Sequence, residues 1–388
     1  MRRLHLSFFW LIALAGAFAI LSSTLSKTPA LPLFAQALGA SPAEIGWIVV
    51  ASTIPGILIS FPVGTLSDYL GERRVLLAAL LIFATAPLLY LPVTEVWQLI
   101  AVRFYHGFAT AIFGTVASAA IARRYLQDRA ARLSTFSSAT IVGRSIAPFL
   151  GGVLISMASF HWVYLACAVS GFLALGLGLL LRDGAPPVGA RPTVPHVMSN
   201  LGALLRDPRV LATSMTEAAQ YLVFGAVEAF LALFAAGLGM PAWQIGVILG
   251  VQLVSIVLVK PLMGGLSDRL GRKRVIVPGL LLGAASVLLL PHLHSFFGLA
   301  ALSLVFGIGF ATVTSSTSAL VADLAKQGAY GASIGVLRTL MDVGQTIGPL
   351  FTGWVVGRYG YTSAFTLLGV ILLLAAGVFS YAVKVESA

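Results

Sequence analysis

The chain has 388 residues, of which 59% are hydrophobic and only 10% charged, with a formal net charge of +11 and a mean hydropathy of +0.98. A soluble domain carries about 25% charged residues and roughly 45–50% apolar ones, so this chain lacks the polar surface that water demands and its solvent is lipid. Its one cysteine, Cys167, excludes a disulfide and a thiolate metal site.

A membrane-crossing helix needs about 20 apolar residues, and twelve such stretches follow one another: 8–28, 43–66, 75–93, 96–122, 133–157, 161–181, 210–238, 243–264, 275–293, 296–322, 330–356 and 361–383. None alternates apolar and polar residues as the strands of a membrane barrel do. The first is too long for the core of a secretory leader, so it is expected to stay in the chain. Of the 24 lysines and arginines, eighteen fall in breaks on one side and Arg358 alone on the other. That asymmetry predicts a multi-pass protein of the cell (inner or plasma) membrane with both termini cytoplasmic. The basic balance thus reports topology, not a nucleic-acid partner.

The longest polar break, residues 182–209, is rich in proline and glycine and reads as a cytoplasmic linker. It divides the chain into an N-terminal six-helix bundle (1–181) and a C-terminal one (210–388). The halves repeat each other. "GTLSDYLGERRVL" at 64–76 returns as "GGLSDRLGRKRVI" at 264–276, and Gly107 matches Gly307 at the same offset. "GRSIAPFLGG" (143–152) matches "GQTIGPLFTG" (344–353) one residue further on. A parallel repeat about an axis along the membrane normal is one plan of secondary transporters. The fold class expected is an all-α integral membrane protein of twelve transmembrane helices in two pseudo-symmetric bundles.

Both copies of the charged turn lie between the second and third spans of their half, on the cytoplasmic side. Asp68 and Asp268 stand at the membrane edge, where a carboxylate can accept from the free N–H groups of a helix start. Asp68 is expected to meet the start of the eleventh span near Gly328 to Gly331, and Asp268 the fifth span near Arg132. Arg73, Arg74, Arg269 and Arg272 flank them, and the set reads as a latch that must open when the halves rock. For one copy, an ordinary positive-inside loop explains the residues equally well; two copies in register favour a gate.

These segments resemble the major facilitator superfamily, whose second-to-third-helix signature both turns match. "PALPLFAQALGAS" (29–41), "RFYHG" (103–107) and "GRSIAPFLGG" are similar to motifs of its twelve-span drug:proton antiporter group. The likeness covers essentially the whole chain. It implies the major facilitator fold, alternating access, no cofactor, and a small-molecule substrate exchanged for protons by a monomer. Tyr69 and Glu72 stand where the family usually has arginine, and Ala147 replaces a glycine that the second copy keeps as Gly348.

Ionisable groups within spans are costly and mark a functional path by default. Lys27, Arg103, Arg144, Glu217, Glu228, Lys260, Arg338 and Asp342 are the set, with His106 a turn from Arg103. Lys27 and Lys260 lie near span ends and can snorkel; Arg338 and Asp342, four apart, can neutralise each other; His106 can be a packed core histidine. Glu217 and Glu228 are eleven residues apart, nearly three full turns, and so face one side about 16 Å apart along the axis, with Gln220, Tyr221 and Phe224 on or beside that stripe. The first half thus supplies cations and the second mostly acids. Such a cavity suits an amphipathic zwitterion or anion. A carboxylate in a low-dielectric site can load and release a proton near neutrality, and Glu228, then Glu217 and Asp342, are the expected carriers. Substrate-binding candidates are Lys27, Arg103, Arg144, Glu217, Gln220, Tyr221, Phe224 and Arg338.

The reading is a proton-coupled exporter of an amphipathic compound. The alternative is a carrier of a defined organic anion or lipid-like metabolite bound by Lys27, Arg103 and Arg144, in either direction. A lipid-modifying enzyme is disfavoured because H-E-x-x-H does not occur and His or Cys ligands are not clustered, and a nucleotide-driven pump because G-x-x-x-x-G-K-[ST] does not occur.

Overall fold

The computed structural model of the protein describes residues 7–181, 208–324 and 330–383. Nearly all of them are α-helical. Span 1 is a pair of helices, Phe8–Lys27 and Ala30–Ala37, and span 2 another, Pro42–Val50 and Thr53–Leu70. Spans 3 to 6 are Glu72–Leu89, Val96–Arg124, Arg129–Met157 and Phe160–Leu179. Spans 7 to 10 are Pro208–Gly237, Ala242–Leu270, Arg272–Leu289 and Phe296–Leu324. Spans 11 and 12 run together as Tyr330–Ala382, bent at Gly360 with φ 80°. Among the described residues ten helices are long and apolar enough to cross a membrane, the last being 48 residues long and holding two passes. With Glu72–Leu89, whose first turn is charged, the twelve expected spans are accounted for.

The breaks have local causes. Span 2 is interrupted at Ala51 and Ser52, because Pro55 has no N–H to return to the Ala51 carbonyl. Thr53 repairs part of the loss by donating its hydroxyl to the Val50 carbonyl at 2.8 Å. Span 2 begins on a capping box, with Ser41 and Glu44 bonding each other's backbone N–H. The repeat extends to backbone angles. Gly39 and Gly239 have φ of 82° and 79°, and Gly71 and Gly271 have 89° and 90°. These left-handed turns favour glycine, which is why the charged turn keeps its central glycine in both copies.

The chain clusters into two compact units. One is Met1–Val188 with Pro241–Gly250, the other Gly189–Met240 with Val251–Ala388. The expected linker lies outside the described residues except for its last two positions, which begin span 7. In the first unit the core is built on Phe9, Ile12, Phe83, Phe113 and Phe136. Lipid gives helices no hydrophobic reason to associate, so close approach through small residues and side-chain bonds to backbone does that work. Gly143 lies over span 1, where a Cβ would stand 2.4 Å from the Ala17 carbonyl. Ser22 donates to the Cys167 carbonyl and Ser170 to the Phe18 carbonyl, both at 2.8 Å, joining spans 1 and 6.

Candidate functional site

In the first unit the break in span 2 creates the surroundings of Arg103. Gly107 packs on that break, where a Cβ would meet the Ser52 carbonyl at 2.3 Å. One turn earlier, Arg103 is buried and donates Nη2–H to Ser52 Oγ at 2.6 Å and Nη1–H to the Tyr90 hydroxyl at 3.5 Å. His106 Nδ1 lies 3.4 Å from the same hydroxyl, and Tyr90 stacks on Tyr164 with centroids 4.3 Å apart. Arg103 Nε, His106 Nε2 and the Tyr164 hydroxyl are buried without a hydrogen-bond partner. This is a buried cationic network with no carboxylate in ion-pair range among the described residues. Sequence reasoning found Arg103 and His106 but missed Ser52, Tyr90 and Tyr164, whose roles depend on the bend in span 2.

Arg144 lies near the midpoint of span 5, exposed into a recess of the first unit beside Ile20, Phe113, Phe136 and Thr140. An arginine at mid-bilayer depth costs about 2.5–3.5 kcal/mol even on insertion scales. Lys27 ends the first helix and sits in its last turn, where the helix dipole favours a cation.

In the second unit Glu217 is buried and accepts a hydrogen bond from the Thr317 hydroxyl, tying span 7 to span 10. Lys260 on span 8 is within electrostatic range of Glu217, a partner that sequence spacing along one helix does not reveal. Gln220 is fully buried with neither amide atom bonded, and the Ser214 and Thr314 hydroxyls are likewise unsatisfied. Polar groups enclosed this way are commonly bridged by water. Further along, Tyr221 and Phe224 pack against Phe310 at 5.0 and 4.5 Å between centroids. Every residue from Val223 to Ala235 is buried, and Glu228 is the one ionisable side chain in that run. Asp342 and Arg338 are exposed on span 11 and interact through space, without a direct ion pair among the described residues.

The charged turns hold their own halves together. Arg73 donates to the Leu181 and Leu179 carbonyls at 2.6 and 3.2 Å, and Lys273 to the Ser380 carbonyl at 2.5 Å. Each cation therefore clasps the C-terminal end of the last span of its half. Glu72 pairs with Arg123 at 3.4 Å, and Arg272 with Asp323 at 2.9 Å. Asp268 pairs with Arg272 at 2.5 Å. Arg74 and Arg269 are exposed. The contacts expected of the Asp68 side chain, and residues 325 to 329 that were to meet it, lie outside the described residues. No group of three or more His, Cys, Asp or Glu side chains able to hold a metal ion occurs among the described residues.

Comparison with known proteins agrees with this architecture. The family described as Major Facilitator Superfamily matches residues 11–255 and 215–388. An uncharacterized MFS-type transporter of Methanocaldococcus jannaschii is 24% identical over 91% of this chain and 92% of its own length. The multidrug resistance protein MdtG of Proteus mirabilis is 26% identical, covering 87% and 86%. The multi-drug resistance efflux pump PmrA of Streptococcus pneumoniae is 23% identical, covering 91% and 90%. Among solved structures, a variant of the nucleoside transporter NupG superposes with a TM-score of 0.85 at 16% identity, over 97% of this chain and all of that one. A bacterial homologue of the lysosomal transporter Spinster, inward-facing and unoccupied, superposes with 0.83 at 15% identity, over 97% and 96%.

Proposed function

This chain belongs to the major facilitator superfamily, and from that premise we propose that it is a proton-coupled exporter of amphipathic small molecules working by alternating access. The observation that carries the reading is Glu228, the single acid in the wholly buried run Val223–Ala235. A carboxylate in a buried stretch of a membrane span is costlier when charged than when protonated, so its occupancy by a proton can bias which side of the membrane the halves open to. Glu217, whose carboxylate accepts from the Thr317 hydroxyl, is the second candidate carrier. In this reading Glu217, Gln220, Tyr221 and Phe224 contact substrate, while Asp68, Asp268 and the flanking cations gate. The multidrug names of the relatives MdtG and PmrA support the amphipathic class.

The test is accumulation of the zwitterionic dye rhodamine B by proteoliposomes with an acidic interior. Exchange for protons predicts uptake that collapses when the pH difference is removed. Uptake only into vesicles with an acidic exterior would mean symport, and equal uptake with and without the difference would end the coupling claim. A second reading, a carrier of organic anions, is favoured by a separate observation: Arg103 and Arg144 are cations inside the first unit with no carboxylate partner among the described residues.

A further inference from the structure

Within the first unit, spans 1, 4 and 5 enclose a recess of about 270 Å³ whose walls include Ile20, Phe113, Gly114, Phe136, Thr140 and Arg144. That volume is at the lower edge of small-molecule pockets, about 300–1,000 Å³. Its shape follows from three glycines. Gly143 brings span 5 onto the backbone of span 1, beside Arg144. At Gly16 a Cβ would stand 2.8 Å from the Phe136 ring, so the missing side chain admits that ring against span 1. At Gly114 nothing lies within 4 Å of where a Cβ would be, and the hollow is the result.

The contents of the recess are not a requirement of the fold. In the other copy of the repeat, Gln345 stands at the Arg144 position and Thr314 at the Gly114 position. The chain therefore carries both the cation and the hollow in one half only. Arg144 is exposed and makes no hydrogen bond or ion pair with any described residue, so its donors are open to a ligand. A guanidinium is a planar fork that matches a carboxylate with two parallel hydrogen bonds. One cation balances one negative charge. Phe113 and Phe136 are packed into the core behind the recess, so the apolar body of a ligand would meet the half-buried side chains of Ile20 and Ile141.

We propose that this recess binds a monoanionic carboxylate with a compact apolar body, its carboxylate on Arg144 and its apolar part against Ile20 and Ile141 in the hollow left by Gly114. The proposal rests on the transport reading in that it names a substrate class, but binding itself needs neither a pH gradient nor turnover.

The experiment is calorimetric titration of the purified full-length protein in detergent with naphthalene-2-carboxylate, and with naphthalene-2-carboxamide as the same shape without charge. The carboxylate is expected to bind and the amide to bind at least tenfold more weakly. Arg144→Gln, the residue of the other copy, should weaken carboxylate binding at least tenfold, and Arg144→Lys should recover part of it. Gly114→Leu should abolish binding by filling the hollow, since its Cβ meets no atom; thermal unfolding confirms that each variant folds. If Arg144→Gln fails to fold, Gly114→Leu and the amide decide. Equal binding of amide and carboxylate, unchanged binding by both Arg144→Gln and Gly114→Leu, or no carboxylate binding up to millimolar concentration would each overturn the site. Carboxylate binding without pH-driven transport would keep the site and sink the coupling claim; transport without it would do the reverse.

Discussion

Spans 5 and 11 are two copies of one helix crossing, and they differ where it matters. Each lies on the first span of its half through a glycine: Gly143 over the Ala17 carbonyl and Gly344 over the Ala218 carbonyl, with Cβ positions 2.4 and 2.1 Å away. One turn on, the second copy repeats the contact, since a Cβ at Gly348 would stand 2.1 Å from the Leu222 carbonyl. The first copy instead carries the buried methyl of Ala147, packed in a cluster with Leu21 at its margin. Two glycine contacts lock the second crossing backbone to backbone. The first has one, and the recess at Arg144 opens beside it. The charged turns differ in another way. Glu72–Arg123 and Arg272–Asp323 occupy matching positions with the signs exchanged. The duplication kept which residues meet while leaving their chemistry free to diverge.

Alanine at Gly348 should break that comparison most visibly. Its methyl has no room beside the Leu222 carbonyl, and the strain should cost about 2–3 kcal/mol, read as a large drop in thermal unfolding temperature in detergent. The mirror change, Ala147→Gly, should cost no more than about 1 kcal/mol, from helix propensity. Equal losses would show that the two crossings do not differ in tightness. Next comes the exchanged ion pair. Glu72→Arg sets two cations against each other and should lose about 1 kcal/mol; adding Arg123→Asp, which copies the second half, should restore it. A double variant no more stable than the single one would mean the pairs are not equivalent. The clasps on the last spans should matter less: Arg73→Ala and Lys273→Ala each remove cationic hydrogen bonds to helix-end carbonyls, and losses of about 0.5–1 kcal/mol, similar in both halves, are expected by the same assay. Smallest is Asp342→Asn. Asp342 and Arg338 are exposed and not in direct contact, so stability should shift by no more than about 0.5 kcal/mol; a loss several times larger would restore the pair to a structural role.

The twelve spans were legible because lipid allows only closed barrels and apolar helices, and a long unalternating apolar run is visible without knowing what it touches. The repeat was legible for a similar reason. Gly71 and Gly271 must turn left-handed, and Gly107 and Gly307 must admit a neighbouring backbone, so they persist in register. Partners across spans were not legible. Arg103 with Ser52, and Glu217 with Thr317, depend on how helices far apart in sequence rotate against each other. One such signal was present unread: positions 72 and 272, and 123 and 323, carry opposite charges at the repeat offset, which marks a swapped pair. The recess was hidden because a hollow at Gly114 has no residue pattern of its own; only the asymmetry of Arg144 against Gln345 hints at it.

The division of labour between halves, with coupling placed on the acid of the second, is tested most directly by Glu228→Gln in proteoliposomes loaded with rhodamine B. Two fluxes would be followed in the same vesicles: accumulation driven by an acidic interior, and exchange of internal for external dye at equal pH. The account predicts that pH-driven accumulation falls to background while exchange persists at near the wild-type rate, because rocking and binding remain and only the proton is lost. A Glu228→Gln protein that still concentrates dye when given only a pH difference would contradict it.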